Sequence, residues 1–145
     1  MLEIWKDIPN FEGYYQASNL GKIKSLNHIR LTGTGSYVQK GRILKYHTNP
    51  YGYYQVRLSK NGIAKTYKVH KLIAITFIEN IDDKPTVNHK NGNKLDNNIV
   101  NLEWATRSEQ TRHMHEVLGY PYRKGIDLAH DRWKNHVKNN KEKTI

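Results

Sequence analysis

A short segment rich in asparagine constrains the fold of this chain more than any other feature. Six of the fourteen residues from Asn88 to Asn101 are asparagine, and one histidine, His89, stands among them. Asparagine and glycine favour tight turns, and asparagine side chains also hydrogen-bond to nearby backbone groups. The segment is therefore either a solvated surface loop or a rigid cradle that holds the imidazole beside a metal ion.

The residues around this segment predict a strand, a loop, a second strand and a helix. Pro85 ends a loop and is followed by Thr86-Val87-Asn88, which has the pattern of a strand. After the asparagines, Asn101-Leu102-Glu103-Trp104 is followed by Thr106-Arg107-Ser108-Glu109. This last segment is typical of a capping box, in which the first and fourth side chains bind each other's backbone N–H groups at the start of a helix.

This order of elements places polar side chains where phosphodiester chemistry needs them. Asn88 and His89 end the strand and can face Gln110, in the first turn of the helix, across the width of one metal ion. Asn101 can tie the loop together behind the imidazole. A histidine that titrates near neutrality suits the activation of water, and one oxygen-bound divalent ion suits the neutralisation of phosphate.

Upstream, two similar segments predict antiparallel hairpins. Gly13-Tyr14-Tyr15-Gln16-Ala17 and Gly52-Tyr53-Tyr54-Gln55-Val56 each follow a turn-forming stretch and lead into alternating residues. Asn61-Gly62 is a strong signal for the turn of the second hairpin. Between the hairpins, Leu31-Thr32-Gly33-Thr34-Gly35-Ser36 is predicted to be a flexible loop. Helical spacing of apolar residues predicts a short helix from Val69 to Phe77.

The positive charge is concentrated in one part of the chain. Residues 13–78 contain eleven lysines and arginines and no acidic residue, so they account for the whole formal net charge of +11. A polyanion is the natural partner of such a block, because each neutralised phosphate releases condensed counterions. The alternatives are a solubilising surface or a surface for acidic lipids. The residues predicted to contact nucleic acid are Lys22, Lys24, Arg30, Lys40, Arg42, Lys45, Gln55, Arg57, Lys65 and Lys68.

Composition excludes several classes of protein. The chain has no cysteine, which rules out disulfide bonds and thiolate zinc sites. The N-terminal residues lack the pattern of a signal peptide, and the apolar run from Leu72 to Ile78 is too short to cross a bilayer. We therefore expect a soluble cytoplasmic protein with no membrane partner and no small-molecule cofactor.

The motifs taken together resemble a known family. Residues 70–113 contain Asn-His, Asn-Gly-Asn, Asn-Asn, Asn-Leu-Glu-Trp and Ser-Glu-x-x-x-His in that order, and resemble the HNH endonucleases of the ββα-metal fold. The most similar branch contains homing nucleases carried by phage introns. Residues 3–26 resemble the nuclease-associated modular DNA-binding motif often fused to that branch.

The resemblance implies an α+β fold in which small antiparallel β hairpins precede a ββα-metal nuclease unit and a C-terminal helical tail. The implied divisions are a basic β-rich DNA-binding module over residues 1–62, an HNH domain over residues 63–119 and a charged helix or tail over residues 120–145. The implied partner is double-stranded DNA, and the implied source is a phage. Nothing in the sequence indicates a dimer, so a monomer is expected.

The resemblance also assigns roles to four residues. His89 corresponds to the general base, and Asn101 to the asparagine that orients it. Asn88 corresponds to one metal ligand, while Gln110 stands where the helix of the family usually supplies Asn or His as the second. His113, three residues further on, is an alternative second ligand. The ion itself is expected to be Mg²⁺ or Mn²⁺, since the ligands are oxygen atoms.

These observations predict a metal-dependent DNA endonuclease, of the homing type that nicks one strand. The neutral amide pair at Asn88 and Gln110 leaves a second hypothesis open, a DNA-binding protein whose catalytic site has decayed. RNA binding is a third, because tyrosine-rich strands can stack on unpaired bases.

Overall fold

The computed structural model describes residues 1–121, which contain ten short strands, two α-helices, one 3-10 helix (Ile99–Asn101) and one π-helix (His113–Val117). The predicted α+β class is confirmed, while the predicted charged helix or tail over residues 120–145 lies almost entirely outside the described residues. The elements are β1 (Trp5–Asp7), β2 (Tyr15–Ser18), β3 (Ile23–Ser25), β4 (His28–Thr32), β5 (Gly35–Gln39), β6 (His47–Thr48), β7 (Tyr54–Lys60), β8 (Ile63–Lys68), α1 (Val69–Phe77), β9 (Thr86–His89), β10 (Leu102–Ala105) and α2 (Arg107–Arg112).

All strands pair in antiparallel fashion, in four small sheets. Their orders are β1-β2-β3, β4-β5, β6-β7-β8 and β9-β10. The predicted turn at Asn61-Gly62 is confirmed, and both residues have positive φ angles, 53° and 78°. Such a turn matches the right-handed twist of the strands it joins. It therefore fixes the register in which Gln55 pairs with Lys68 and Arg57 with Thr66.

The predicted flexible loop over residues 31–36 was wrong. These residues belong to the hairpin β4–β5, in which Ile29 pairs with Val38 and Arg30 with Tyr37. The Thr32 hydroxyl donates to the carbonyl oxygen of Gly35 at 3.1 Å and closes the two-residue turn. Only Gly33 and Thr34 form the turn, while the small residues on either side of them, Thr32, Gly35 and Ser36, are paired in the two strands.

One hydrophobic core connects the N-terminal strands with the elements around the asparagine segment. It contains Ile8, Tyr15, Ala17, Ile23, Val56, Leu58, Val69, Leu72, Ile73, Ala74, Val87 and Leu102. Residues 1–110 form a compact unit, and a second unit begins at Thr111. The division predicted at residue 62 falls in the turn between β7 and β8, two strands of one sheet. It stays a prediction about sequence modules.

Helix α1 carries a buried histidine toward the asparagine segment. The predicted helix from Val69 to Phe77 is confirmed, and Val69, His70, Leu72, Ile73 and Ala74 are buried. Apolar side chains at these spacings form the stripe that a surface helix turns toward the core. No helix among residues 1–121 is long and apolar enough to cross a membrane.

The predicted capping box opens α2. The backbone N–H of Thr106 donates to Glu109 Oε2 at 2.7 Å, and the backbone N–H of Glu109 donates to Thr106 Oγ1 at 3.2 Å. These two bonds satisfy N–H groups that the first helical turn leaves unpaired. The cap thereby fixes the start of the helix that carries Gln110 in its first turn.

Candidate active site

The pairing of β9 with β10 places Asn88 and His89 at the mouth of the asparagine loop. Asn88 pairs with Glu103 and His89 with Leu102, so residues 90–101 form the connection between the two strands. Successive side chains of a strand point to opposite faces. His89 is accordingly buried, while Asn88 is half-buried beside the carboxylate of Glu103.

Asn101 holds the two ends of this loop together. Its Oδ1 accepts from the backbone N–H of Asn91 at 2.9 Å, and its Nδ2 donates to the carbonyl oxygen of Asp96 at 2.8 Å. The backbone N–H of Lys90 also donates to the carbonyl oxygen of Asn101 at 2.8 Å. A buried asparagine with both side-chain ends bonded to the backbone makes the loop rigid.

The side chain that contacts the imidazole is Asn97 rather than Asn101. His89 Nε2 lies 3.0 Å from Asn97 Oδ1, and the two residues are 5% and 4% exposed. Asn101, which is predicted to orient the imidazole, does so through no direct hydrogen bond, because both ends of its side chain are bonded to the loop backbone. An amide oxygen only accepts, so Nε2 carries the proton and Nδ1 holds the lone pair.

Two more rings enclose His89. The His70 ring meets it edge-on with centroids 5.0 Å apart, and the Tyr53 ring lies 5.0 Å from His70 and 6.0 Å from His89. The ammonium groups of Lys68 and Lys94 lie 5.1 and 5.0 Å from the centre of the Tyr53 ring. The imidazole is thus packed on several sides, which limits the orientations its ring can adopt.

Burial shifts the pKa of both histidines downward. Loss of solvation lowers the pKa of His89 below its usual range, although the hydrogen bond with Asn97 works in the opposite direction. Burial, followed by the charges of His89, Lys68 and Lys71, lowers the pKa of His70 to about 3. Both rings are therefore neutral at pH 7, and neutral imidazole is the form in which His89 can accept a proton.

The predicted metal ligands use their amide nitrogens for structure. Asn88 Nδ2 donates to Glu103 Oε1 at 2.9 Å, and Gln110 Nε2 donates to the carbonyl oxygen of Val87 at 3.0 Å. Each hydrogen bond fixes the amide group and leaves its oxygen as the atom that would coordinate a metal ion. Glu103 adds a negative charge next to Asn88. The sequence prediction missed this contact, although the strand pairing directly explains it.

This set of donors fits a divalent ion that prefers oxygen. Mg²⁺ and Mn²⁺ take amide and carboxylate oxygens and keep several water or phosphate ligands. Within residues 1–121, no three His, Cys, Asp or Glu side chains are grouped closely enough to hold a metal. An ion held by Asn88 and Gln110 would therefore take its further ligands from Glu103, solvent or substrate. His113 lies in the unit that begins at Thr111, and its role as a ligand stays a prediction.

The residues predicted to contact nucleic acid are spread over several elements. In the β7–β8 register, Gln55 and Arg57 share a face with Lys68, while Lys65 pairs with the buried Leu58 and lies on the opposite face. The others lie at different places. Lys22 forms an ion pair with Glu3 at 3.4 Å, and the Lys24 ammonium group lies 4.2 Å from the centre of the Trp5 ring. Arg30 donates to Gln39 at 2.7 Å. Lys40, Arg42 and Lys45 are exposed.

Two family models match most of the described chain. The NUMOD4 motif matches residues 3–59, and the HNH endonuclease matches residues 67–112. The second range contains the whole arrangement from α1 through the asparagine loop to α2. The chain belongs to the HNH endonucleases that carry a NUMOD4 motif.

Individual relatives agree with both matches. The DNA endonuclease I-HmuI of Bacillus phage SP01 is 39% identical over 103 residues, which cover 71% of this chain and 52% of that protein. The uncharacterized HNH endonuclease L247 of Acanthamoeba polyphaga mimivirus is 40% identical over 116 residues, covering 77% of this chain and 26% of that protein. This chain therefore spans about half or less of the length of these relatives.

A solved structure has the same fold. The structure that describes DNA binding and cleavage by the HNH homing endonuclease I-HmuI matches with a TM-score of 0.68 and 33% sequence identity. The match covers 87% of this chain and 66% of the other. The resemblance inferred from the motifs is thereby confirmed.

Proposed function

We propose that this chain is a metal-dependent DNA endonuclease in which His89 is the general base. The observation that carries the proposal is the buried imidazole at the end of β9, whose Nε2–H donates to Asn97 Oδ1 at 3.0 Å. That bond leaves the lone pair of Nδ1 for a proton from water. A general base needs this combination of a fixed ring, a fixed tautomer and a neutral state.

The reaction is the hydrolysis of one phosphodiester bond. His89 Nδ1 takes a proton from a water molecule, and the water oxygen attacks phosphorus in line with the 3′ oxygen, whose bond to phosphorus breaks. The oxygens of Asn88 and Gln110 would hold one Mg²⁺ or Mn²⁺ ion. When bound, such an ion neutralises charge on the phosphate and on the departing oxygen. The departing 3′ oxygen takes a proton from solvent and His89 later returns its own, so the products are a 5′ phosphate and a 3′ hydroxyl.

Double-stranded DNA is the proposed substrate, because the charge of residues 13–78 is entirely positive. I-HmuI is titled as a protein that binds and cleaves DNA, which supports the same substrate class here. One site engages one strand at a time. A monomer of this chain therefore nicks the duplex, and a double-strand break needs two successive events.

The second candidate function is DNA binding without cleavage. It is favoured by the two neutral amides in the metal-ligand positions and by the lack, within residues 1–121, of a His, Cys, Asp or Glu cluster for a metal. The retained cradle around His89 opposes it, since binding alone needs no buried base with a fixed tautomer.

Plasmid nicking tests the proposed function. Wild-type protein with Mg²⁺ or Mn²⁺ is expected to convert supercoiled plasmid to open circles. DNA ligase is expected to reseal the nicks, because ligase requires a 5′ phosphate beside a 3′ hydroxyl. Nicks that ligase cannot seal would contradict the proposed chemistry. A protein that binds the plasmid but never nicks it would favour the second candidate function.

The two faces of the β7–β8 hairpin give a matched test of DNA binding. Arg57 and Lys65 are both exposed, and they lie on opposite faces of the same hairpin. If the Gln55–Arg57–Lys68 face meets phosphate, Arg57→Ala should weaken binding and reduce the slope of log affinity against log salt by about 1. If that face alone meets phosphate, the DNA contact predicted for Lys65 is wrong, and Lys65→Ala should leave the slope unchanged. A slope for Arg57→Ala equal to that of wild-type protein in fluorescence-anisotropy titrations would show that this face does not meet DNA.

A further inference from the structure

A tight turn in the N-terminal part of the chain lies against the residue that holds the catalytic imidazole. This turn, Ser18–Gly21, joins β2 to β3 and is closed by a bond from the backbone N–H of Gly21 to the carbonyl oxygen of Ser18 at 3.0 Å. Its Asn19 side chain accepts from the N–H of Ile4 at 2.8 Å and donates to the carbonyl oxygen of Leu2 at 3.0 Å. The turn is therefore anchored to the N-terminal segment rather than mobile.

The turn contacts the asparagine loop at two adjacent points. The backbone N–H of Ile99 donates to the carbonyl oxygen of Asn19 at 3.0 Å. Gly21 packs directly on Asn97, since a Cβ atom at Gly21 would lie 3.0 Å from the Asn97 carbonyl carbon and oxygen. A Cβ atom there would require the Asn97 backbone to shift by a few tenths of an ångström, and the φ angle of Gly21, 86°, is also one that glycine favours.

A tyrosine fixes the position of Gly21. The Tyr46 hydroxyl donates to the carbonyl oxygen of Gly21 at 3.0 Å, and the Tyr46 ring packs against Tyr54 with centroids 5.4 Å apart. The backbone of Gly21 is thus held by Tyr46 and abuts Asn97. Because the Asn97 side chain is bonded to His89, the position of Gly21 determines where the acceptor for the imidazole lies.

We propose that the Ser18–Gly21 turn, held by Tyr46, positions His89 for catalysis by fixing Asn97. The N-terminal strands would then complete the active site in addition to contacting DNA. Gly21 and Tyr46 are positioning residues that touch no substrate. This proposal rests on the proposed function for one of its two tests, which measures the rate of DNA cleavage.

Two glycines provide a matched pair of variants. Gly21→Ala and Gly13→Ala both add a methyl group at a residue with positive φ, 86° and 76°. At Gly13 the new atom would have no neighbour within 4 Å, whereas at Gly21 it would press on the Asn97 backbone. The Gly13 variant therefore reports the cost of backbone strain alone. Tyr46→Phe is a milder third variant, which removes only the bond to Gly21.

The first readout is the single-turnover cleavage rate at saturating protein. Asn97→Ala should slow cleavage about 10²-fold, the effect typical of misplacing a reacting group by about 1 Å, and Gly21→Ala, which shifts Asn97 by only a few tenths of an ångström, should slow it about 10-fold. DNA affinity should stay within about threefold of wild type, as should the rate of Gly13→Ala. In the double variant, Gly21→Ala should add less than about threefold to the loss caused by Asn97→Ala, since residues that act through one contact are not additive. A double variant whose loss of cleavage rate equals the product of the two single losses would overturn the proposal.

The second readout is independent of catalysis. The His89 ring-proton chemical shifts of the full chain at pH 7.5 should move in Gly21→Ala and Asn97→Ala and stay in place in Gly13→Ala. Unmoved shifts in Gly21→Ala would overturn the proposal even if the protein cleaves DNA. If wild-type protein does not cleave, the proposed function fails while these shifts still decide the role of the turn. Should Gly21→Ala fail to fold, Tyr46→Phe replaces it, and unchanged His89 shifts in that variant would overturn the proposal.

Discussion

Replacing His89 with alanine is expected to slow DNA cleavage about 10³-fold or more, in line with the 10²–10⁴-fold contribution of a general base together with the loss of its positioning. The affinity for DNA should change by less than about threefold, because the buried ring lies outside the exposed basic faces. The imidazole of His70 lies close by, with its ring centre 5.0 Å away. Its pKa of about 3 makes it a weak base that does not substitute for His89.

The measurement is single-turnover cleavage at saturating protein, with affinity determined separately. His47→Ala is the matched control, since it removes an exposed imidazole that pairs with Gln55 on the proposed DNA-contacting face and is not among the residues that enclose His89, and saturating protein offsets any loss of affinity. Its cleavage rate should stay within about threefold of wild type. Cleavage that persists in His89→Ala would show that another group activates water. An equal loss in both variants would show that the assay reports histidine content or folding rather than a catalytic base.

The second large effect concerns stability and its dependence on pH. His70 is 5% exposed, and its Nδ1 has no hydrogen-bond partner among residues 1–121. Burial depresses its pKa from 6.5 in the unfolded chain to about 3 in the folded protein. Between these values the unfolded state binds a proton that the folded state does not. Stability is therefore complete above pH 6.5, falls as the pH drops below that value, and levels off near pH 3.

The change from pH 7.5 to pH 5 should cost wild-type protein about 2 kcal/mol through His70 alone, at 1.36 kcal/mol for each pH unit below its unfolded pKa. His70→Phe keeps a ring in the same place but has no proton to bind. Its free energy of unfolding should accordingly decline less than that of wild type by about the same 2 kcal/mol. His89, whose pKa is also lowered, is present in both proteins, so the difference between them reports His70 together with its interaction with His89. Parallel declines in urea titrations at the two pH values would contradict the account.

Local sequence rules are sufficient to predict the turn, the helix cap and the helix that surround the site. The Asn61-Gly62 turn and the Thr106–Glu109 capping box each depend on residues that are neighbours in the chain, and both are present as predicted. The same holds for α1, whose apolar spacing is that of a buried helical stripe. The hairpin β4–β5 is not predicted by these rules, because the glycines and other small residues around its Gly33-Thr34 turn are also typical of a flexible loop.

The contacts that orient the imidazole depend on residues that are distant in sequence. Tyr53 precedes His89 by 36 residues and reaches it only through the packing of β7 and α1 on the core. Which of six asparagines faces the ring is decided by the path of the loop backbone, and that path turns Asn97 toward His89 while Asn101 binds the loop. The contact of Gly21 with Asn97 likewise joins segments that no sequence pattern connects.

Whether DNA cleavage requires both a divalent ion and His89 is the question that most directly separates a nuclease from a DNA-binding protein. Supercoiled plasmid is incubated with wild-type protein in Mg²⁺, in Mn²⁺ and in EDTA, with the His89→Ala variant in Mg²⁺ and Mn²⁺ alongside. Open circles are expected from wild-type protein with either ion, and none with EDTA or with the variant. Nicking that continues in EDTA, or that is undiminished in His89→Ala, would contradict it.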